Sequence, residues 1–349
     1  MEPFLGYLLI LGYVLILLSA FLIDYIVYPF FIRRMHLQKI EWGDFNKKGK
    51  PIVAGMGGTV VLLGFIFAVM IALFFHSYVG LFAPLELLPL LAAILTIVVV
   101  GLIGIVDDVI GWTKGIRQYQ HALFPLFAAL PLMVLPQVIG DPTMDIPLLG
   151  LVNLGLFYSL LVVPIAVTGA SNAMNMLAGL NGLEGGMGLI NAIVFLIVGL
   201  ALGEIEVIIL MLALIGVILA FLAYNWFPAR VFPGDSFTLM MGAAFASVSI
   251  IGNLEKLGLM LFLLYFIELI LKARMKMQAQ SFGIIQEDGT LQSPEKIGSL
   301  THVVMRFGKF SEKQVVLIIL GLQVIVALFA LFVFWSNFTA TGGGTRGML

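Results

Sequence analysis

The chain has 349 residues, 61% of them hydrophobic and only 11% charged, with a formal net charge of −1 and a mean hydropathy of +1.13. That balance excludes an ordinary soluble globular domain and marks an integral membrane protein. The absence of cysteine excludes disulfides and thiolate metal sites.

The first apolar run, residues 4–32, lacks a basic segment before it and is longer than the core of a signal peptide, so it is expected to remain as an uncleaved first helix. Apolar runs at 52–75, 87–106, 122–138, 151–167, 189–202, 207–222, 237–251, 257–271 and 315–335 follow, for about ten spans in all. They lack the two-residue alternation of a closed barrel, so the spans are expected to be helices. The expected fold is an all-α integral membrane protein, a polytopic bundle of about ten transmembrane helices forming one domain over residues 1–349. Of the 18 basic residues, 16 fall in the loops after odd-numbered spans, and only Lys256 and Arg346 fall on the other side. By the positive-inside rule the basic side is cytoplasmic and both termini lie opposite it. Some of these cations fix topology and touch anionic lipid. The longest polar segment, 272–314, is then a cytoplasmic loop between the ninth and tenth helices. Within it Glu287-Asp288-Gly289 reads as a hairpin turn and Ser293-Pro294-Glu295 as a helix start. His302 and Arg306 share a helical spacing, but no other suitably spaced ligands make a zinc site there.

Asp107 and Asp108 close the run 87–106. Carboxylates about 5 Å apart repel by roughly 3 kcal/mol at an effective dielectric near 20, and the negative end of a helix adds to the cost. A divalent cation or a proton removes the conflict; a solvated pair in a loop is the bland alternative. Residues 168–188 carry Asn172 and Asn175 three apart, hence on one helix face, where their amide oxygens can ligate a hard cation. Gly179, Gly182, Gly185 and Gly186 let the backbone turn and approach a ligand, with Asn181 placed to read a polar edge. Small residues also pack transmembrane helices, but four amide or carboxylate side chains, Glu184 among them, leave packing an incomplete account. In Asn225-Trp226-Phe227-Pro228-Ala229-Arg230-Val231-Phe232-Pro233-Gly234-Asp235-Ser236 the prolines prevent a regular helix before Asp235, and Phe232 can stack on a planar base or anchor at the interface. Acidic metal ligands among basic residues on one side suit a polyanionic substrate such as a nucleoside diphosphate bound through magnesium.

The chain resembles the polyprenyl-phosphate N-acetylhexosamine-1-phosphate transferases, in particular their archaeal and eukaryotic dolichyl branch. The likeness rests on Gly104-Ile105-Val106-Asp107-Asp108, on the stretch from Asn172 through Asn175, Gly179 and Asn181 to Glu184, and on Asn225 to Asp235. It implies transfer of a sugar 1-phosphate, N-acetylglucosamine 1-phosphate or a related one, from a UDP-sugar to polyprenyl or dolichyl phosphate with release of UMP. By matching position it implies that Asn175 and Asp235 hold Mg2+, with Mn2+ able to replace it, and that Asp107 and Asp108 are the catalytic pair. Gly179 and Phe232 sandwich the uracil, Asn181 reads its edge, and Asn172 and Glu184 line the same site. Arg274 and Lys276 stand where the dolichyl branch has an Arg-His-Arg element for the diphosphate and sugar, with Met275 in the histidine's place. The family's lysine beyond the Asp pair falls on His121, with Arg117 one turn earlier. The Pro-Glu pair that often precedes the glycines of the second helix is absent, Val53 and Ala54 standing there.

Expected partners are the UDP-sugar, the polyprenyl phosphate and membrane lipid, with homodimerisation left open and no nucleic acid. The membrane is an archaeal plasma membrane or an endoplasmic reticulum membrane, with the active site facing the cytoplasm. A bacterial-type undecaprenyl-phosphate transferase for envelope polysaccharide is the nearest alternative. A transporter is another, but its site would lie at the bilayer midplane and its halves would repeat, whereas these polar residues gather at span ends. Asn337-Phe338-Thr339 matches a glycosylation sequon by chance, too close to the last span to be used.

Overall fold

No water is available in a hydrocarbon core, so each backbone N–H and C=O of a span must be satisfied within its own segment, and apolar runs respond by forming helices. The computed structural model describes residues 2–111, 118–135, 142–146 and 150–340. Helix α1 (Glu2–Leu37) is followed by a two-stranded antiparallel ribbon, β1 (Glu41–Gly43) with β2 (Ile52–Ala54), in which Trp42 pairs with Val53. Next come α2 (Gly58–Phe74), α3 (Leu87–Gly111), α4 (Gln118–Ala128) and α5 (Leu130–Met133). A second ribbon, β3 (Thr143–Ile146) with β4 (Gly150–Asn153), precedes α6 (Val163–Met176), α7 (Leu183–Leu202), α8 (Ile205–Asn225) and α9 (Gly234–Ile251). The chain ends with α10 (Glu255–Leu261), α11 (Leu263–Arg274), a ribbon of β5 (Ile284–Ile285) and β6 (Leu291–Gln292), α12 (Leu300–Arg306) and α13 (Glu312–Ala340).

Among the described residues, eight helices are long and apolar enough to cross a membrane. The other two expected spans are interrupted. Over 122–138 the helix breaks at Ala129, just before Pro131 in the first turn of α5, and proline has no N–H for the ladder; residues 136–138 lie outside the described ones. Over 257–271 the break is slight. At Phe262 the backbone departs from helical values (φ −88°, ψ 9°), yet its N–H reaches the Gly258 oxygen (3.1 Å) and its oxygen accepts the Phe266 N–H (3.0 Å). The short expected runs at 189–202 and 237–251 prove longer, beginning at Leu183 and Gly234, because glycine and polar residues open both helices.

Helix α9 lies at the centre, packed against α3, α6 and α2, while α8 fills the space between α1, α7 and α2. Phe221 stacks on Phe237 (4.5 Å between centroids) and Phe195 on Phe245 (5.8 Å), so aromatic volume fills the seams around α9. Gln323 of α13 donates to Asn191 of α7 (2.6 Å) and to the Leu261 oxygen of α10 (2.9 Å), a buried polar tie that fixes helix register where apolar packing against lipid gives little direction.

In the loop between α11 and α13 the turn at Glu287-Asp288-Gly289 forms, with Gly289 at φ 82° between β5 and β6. The helix expected at Ser293-Pro294-Glu295 does not. Helix α12 starts at Leu300, where Ser299 is the N-cap and buried Glu268 of α11 accepts the Ser299 hydroxyl (3.0 Å) and the Leu300 N–H (2.6 Å). Two acceptors at that point outweigh a proline that only presets φ.

At Gly242, α9 meets the backbone of α6 at Ala170 and Ser171, leaving no room for a Cβ, whereas a Cβ at Gly321 of α13 meets nothing within 4 Å. Gly242→Ala is therefore expected to destabilise the protein by about 1–3 kcal/mol. Gly321→Ala should be neutral or stabilising by up to about 1 kcal/mol. Thermal unfolding in detergent compares the two, and equal midpoints would contradict the close approach of α6 and α9.

Candidate active site

At one end of the bundle the ends of α3, α6, α7, α9 and α11 surround a cavity of about 1050 Å³. Asp107 and Asp108 come from the last turns of α3, Asn172 and Asn175 from α6, and Asp235 from the first turn of α9. Gly179, Asn181 and Glu184 come from the turn into α7, and Phe232 from the proline-containing segment before α9. These residues, drawn from three separated stretches of sequence, line the same cavity.

The two adjacent aspartates do different things. Successive helical residues point about 100° apart, and Asp108 turns toward the start of α9. Its Oδ1 accepts the Asp235 N–H (2.7 Å), and its Oδ2 accepts the Ser236 N–H (3.1 Å) and the Ser236 hydroxyl (2.6 Å). Asp108 thus caps α9 from a neighbouring helix. The positive end of α9 meets the charge that the adjacent-carboxylate argument left for a cation. Asp107 also lines the cavity.

The turn into α7 is held from several sides. Gly179 (φ 119°) and Gly182 (φ 83°) adopt backbone values closed to most side chains. The Gly179 N–H donates to Glu184 (2.6 Å), and the Gly182 N–H donates to Oδ1 of buried Asn225 (3.0 Å). Asn225 also donates to the Val231 oxygen (2.9 Å), so one amide joins the turn to the Phe232 segment. Asn172 donates to the Thr168 oxygen (2.8 Å), and the Asn175 amide oxygen accepts the Thr238 hydroxyl (3.1 Å).

The structure adds residues that composition and motif spacing did not single out. The loop between β1 and β2 lies over the site: Asn46 donates to the Gly179 oxygen (2.9 Å) and accepts the Gly283 N–H (3.2 Å). Asp44, Phe45 and Phe282 line the cavity, with Phe45 and Phe282 paired at 5.5 Å. The aromatic ring against Gly179 is Phe282. Lys272 lines the cavity as well, near Glu268 (3.6 Å) and donating to Ser281 (3.2 Å).

Arg274 and Lys276 are not brought to the cavity. Glu268 and Lys272, four apart on α11, face inward together, while Arg274 lies two residues further, about 200° around the helix, and is exposed. Lys276 follows the helix end at φ 54° and is exposed too. Arg117 lies outside the described residues, as does the side chain of His121 in α4. His302 serves the loop: its Nδ1 accepts the Gly298 N–H (3.2 Å), so Nε2 carries the proton and donates to the Phe282 oxygen (3.0 Å).

The donor set suits a hard cation. Asp107, Asp235 and Asn175 line the cavity, and the atoms they can offer a cation are oxygens, since the NH2 of an amide only donates. Among the described residues no three His, Cys, Asp or Glu side chains form a protein-only cage. Magnesium, which binds through a few carboxylates together with phosphate and water, has no need of one.

Comparison with known proteins places this helical membrane bundle, with carboxylates, amides, a lysine and aromatic rings in one cavity, among the membrane-embedded transferases. The glycosyl transferase family 4 model matches residues 90–253. A Saccharolobus solfataricus protein whose assigned name is UDP-N-acetylglucosamine–dolichyl-phosphate N-acetylglucosaminephosphotransferase is 35% identical over 92% of this chain and 96% of its own length. A Sulfolobus acidocaldarius protein of the same assigned name is 34% identical over the same shares. The phospho-N-acetylmuramoyl-pentapeptide-transferase of Limosilactobacillus reuteri is 32% identical over 74% of this chain and 80% of its own. The chain belongs to glycosyl transferase family 4, among the polyprenyl-phosphate N-acetylhexosamine-1-phosphate transferases, and is a multi-pass membrane enzyme.

Replacing Asp108 by Ala leaves three donors at the start of α9 without their acceptor and is expected to cost about 1–3 kcal/mol. Ser236→Ala should cost less, and thermal unfolding in detergent ranks them; a wild-type midpoint for Asp108→Ala would rule out the cap. Burial pushes the His302 imidazole below its usual value, and the nearby Lys272 adds to this. The unfolded chain therefore takes up the proton first as pH falls, so stability from neutral His302 is present above about pH 6.5 and is lost below it. Between about pH 7.5 and about pH 5.5 the wild-type midpoint should fall further than that of His302→Gln. An equal fall in both would discount the histidine.

Proposed function

We propose that the enzyme transfers N-acetylglucosamine 1-phosphate from UDP-N-acetylglucosamine to dolichyl phosphate or a related polyprenyl phosphate, releasing UMP, as the first membrane step in building a lipid-linked oligosaccharide. One observation carries the reading: acidic and amide groups from three distant motifs line a single cavity at the ends of the spans, in a chain similar along nearly its whole length to proteins of that assigned name. The basic residues cluster at the same end in sequence order, which supports a cytoplasmic active site with both termini opposite.

An oxygen of the lipid phosphate attacks the β-phosphorus of the UDP-sugar, the bond from that phosphorus to the bridging oxygen breaks, and UMP leaves with the bridging oxygen. Asp107 orients the acceptor phosphate or takes its remaining proton. Asp108 keeps the start of α9 in place, so that Asp235 is presented to the cavity on a fixed backbone. Lys272 offsets charge on the diphosphate, the part first assigned to Arg274 and Lys276. Phe232, Phe282 and the Gly179 turn hold the base, and Asn181 reads it. Magnesium, held by Asn175 and Asp235, would neutralise the diphosphate oxygens as charge moves onto UMP. Direct attack is favoured over an aspartyl-phosphate intermediate, because the acceptor phosphate is already an anionic nucleophile.

The test is UMP release by purified protein given UDP-N-acetylglucosamine with and without dolichyl phosphate. Release is expected only with the acceptor, to stop with chelator, and to return with Mg2+ and in part with Mn2+. Asp235→Asn should fold yet lose at least about 100-fold in turnover. UMP formed without acceptor, with labelled phosphate left on the protein, would overturn direct attack; no UMP with any polyprenyl phosphate would overturn the function.

A further inference from the structure

We infer that Asp44 fixes which end of the Asn181 amide faces the cavity, and so makes the site select a nucleobase with a ring N–H, as in uracil, over one with a ring lone pair, as in cytosine. The inference rests on the nucleotide-donor reading above and assigns a positioning residue to it.

The two ends of a carboxamide are nearly equal in size, and their partners decide which is which. Asn181 is only 4% exposed and lines the cavity. Its Nδ2 donates to Asp44 Oδ2 (3.0 Å), and its backbone N–H donates to Glu312 Oε1 (2.8 Å). Asp44 is buried too; its Oδ1 accepts the Asn46 N–H (3.2 Å). Its Oδ2 also meets the Lys47 ammonium, which bridges to Glu312 at 3.0 Å. An ion-paired carboxylate offers only acceptors, so the amide end facing Asp44 must be the NH2 end. The other end, Oδ1, has no donor among the described residues.

A carbonyl oxygen held there needs a hydrogen from the ligand. Uracil N3 carries one between two carbonyls, whereas cytosine N3 carries a lone pair, and lone pair against lone pair leaves two buried acceptors unmet. Asp44 cannot drift from this role, because Asn46 ties its loop to the Gly179 oxygen on one side and the Gly283 N–H on the other. A role limited to fastening the loop would alter stability without altering which base is preferred.

The experiment is equilibrium binding of UDP, N3-methyl-UDP and CDP, with Mg2+, to the full chain in detergent. Wild type is expected to bind UDP at least about tenfold more tightly than either of the others. Asp44→Asn can donate to Asn181 Oδ1 and let the amide turn over, so its UDP preference over CDP should shrink to within about threefold. Asp44→Ser frees the amide in the same way, and either variant that keeps a cooperative unfolding transition carries the test. Equal binding of UDP and N3-methyl-UDP, an unchanged UDP-to-CDP ratio in the variants, or loss of folding in both variants would overturn the inference. If wild type binds none of the three nucleotides, it is the donor reading itself that fails.

Discussion

A helix that begins inside a membrane bundle has N–H groups that neither lipid nor its own first turn can satisfy. At the start of α9 the carboxylate of Asp108 meets two of them together with the Ser236 hydroxyl. Because α9 is also the helix around which α2, α3 and α6 pack, this one contact sets the depth of α3 against the centre of the fold. It also presents Asp235 to the cavity. The polar site and the apolar bundle are therefore joined, and a change at the cap disturbs both.

The motif residues form one half of the site; the other half consists of fasteners. Asn225, Asn46 and Glu184 each spend their polar atoms on backbone groups, and together they hold the Gly179–Gly182 turn in a shape that glycine alone would leave loose. Buried polar groups of this kind are costly when a partner is missing, and both amides are met at each end, so they favour a single arrangement of the turn. The neutral His302 extends the set to the backbone of Phe282, on the far side of the cavity.

Much of this was legible in the sequence, and the limits are physical. Apolar runs gave the spans because hydrocarbon thickness dictates helix length. The ends of α7 and α9 were missed, since their first turns are built from glycine and polar residues. Asp107, Asn175 and Asp235 stood out as polar residues beside apolar runs. Whether Lys272 or Arg274 faces inward depends on helix phase, which a tally of cations does not contain. The Glu268 and Lys272 pair, four residues apart on a helix whose other charged residue is Arg274, was the available signal. Asp44, Asn46 and Phe282 carried none, because the contacts that tie them to the site, with Asn181, Gly179 and Phe45, reach across more than a hundred residues of sequence. The demand for a cation at the aspartate pair overlooked that a helix from elsewhere in the chain can supply the positive end.

Glu312, the first residue of the last helix, accepts the backbone N–H of Asn181. Most of that helix faces outward rather than into the protein, and the tilt of such a helix depends partly on the match between its apolar length and the hydrocarbon thickness around it. The Asn181 backbone is thereby anchored to a helix that faces the lipid. A residue that lines the cavity is thus held at the membrane-facing rim of the bundle.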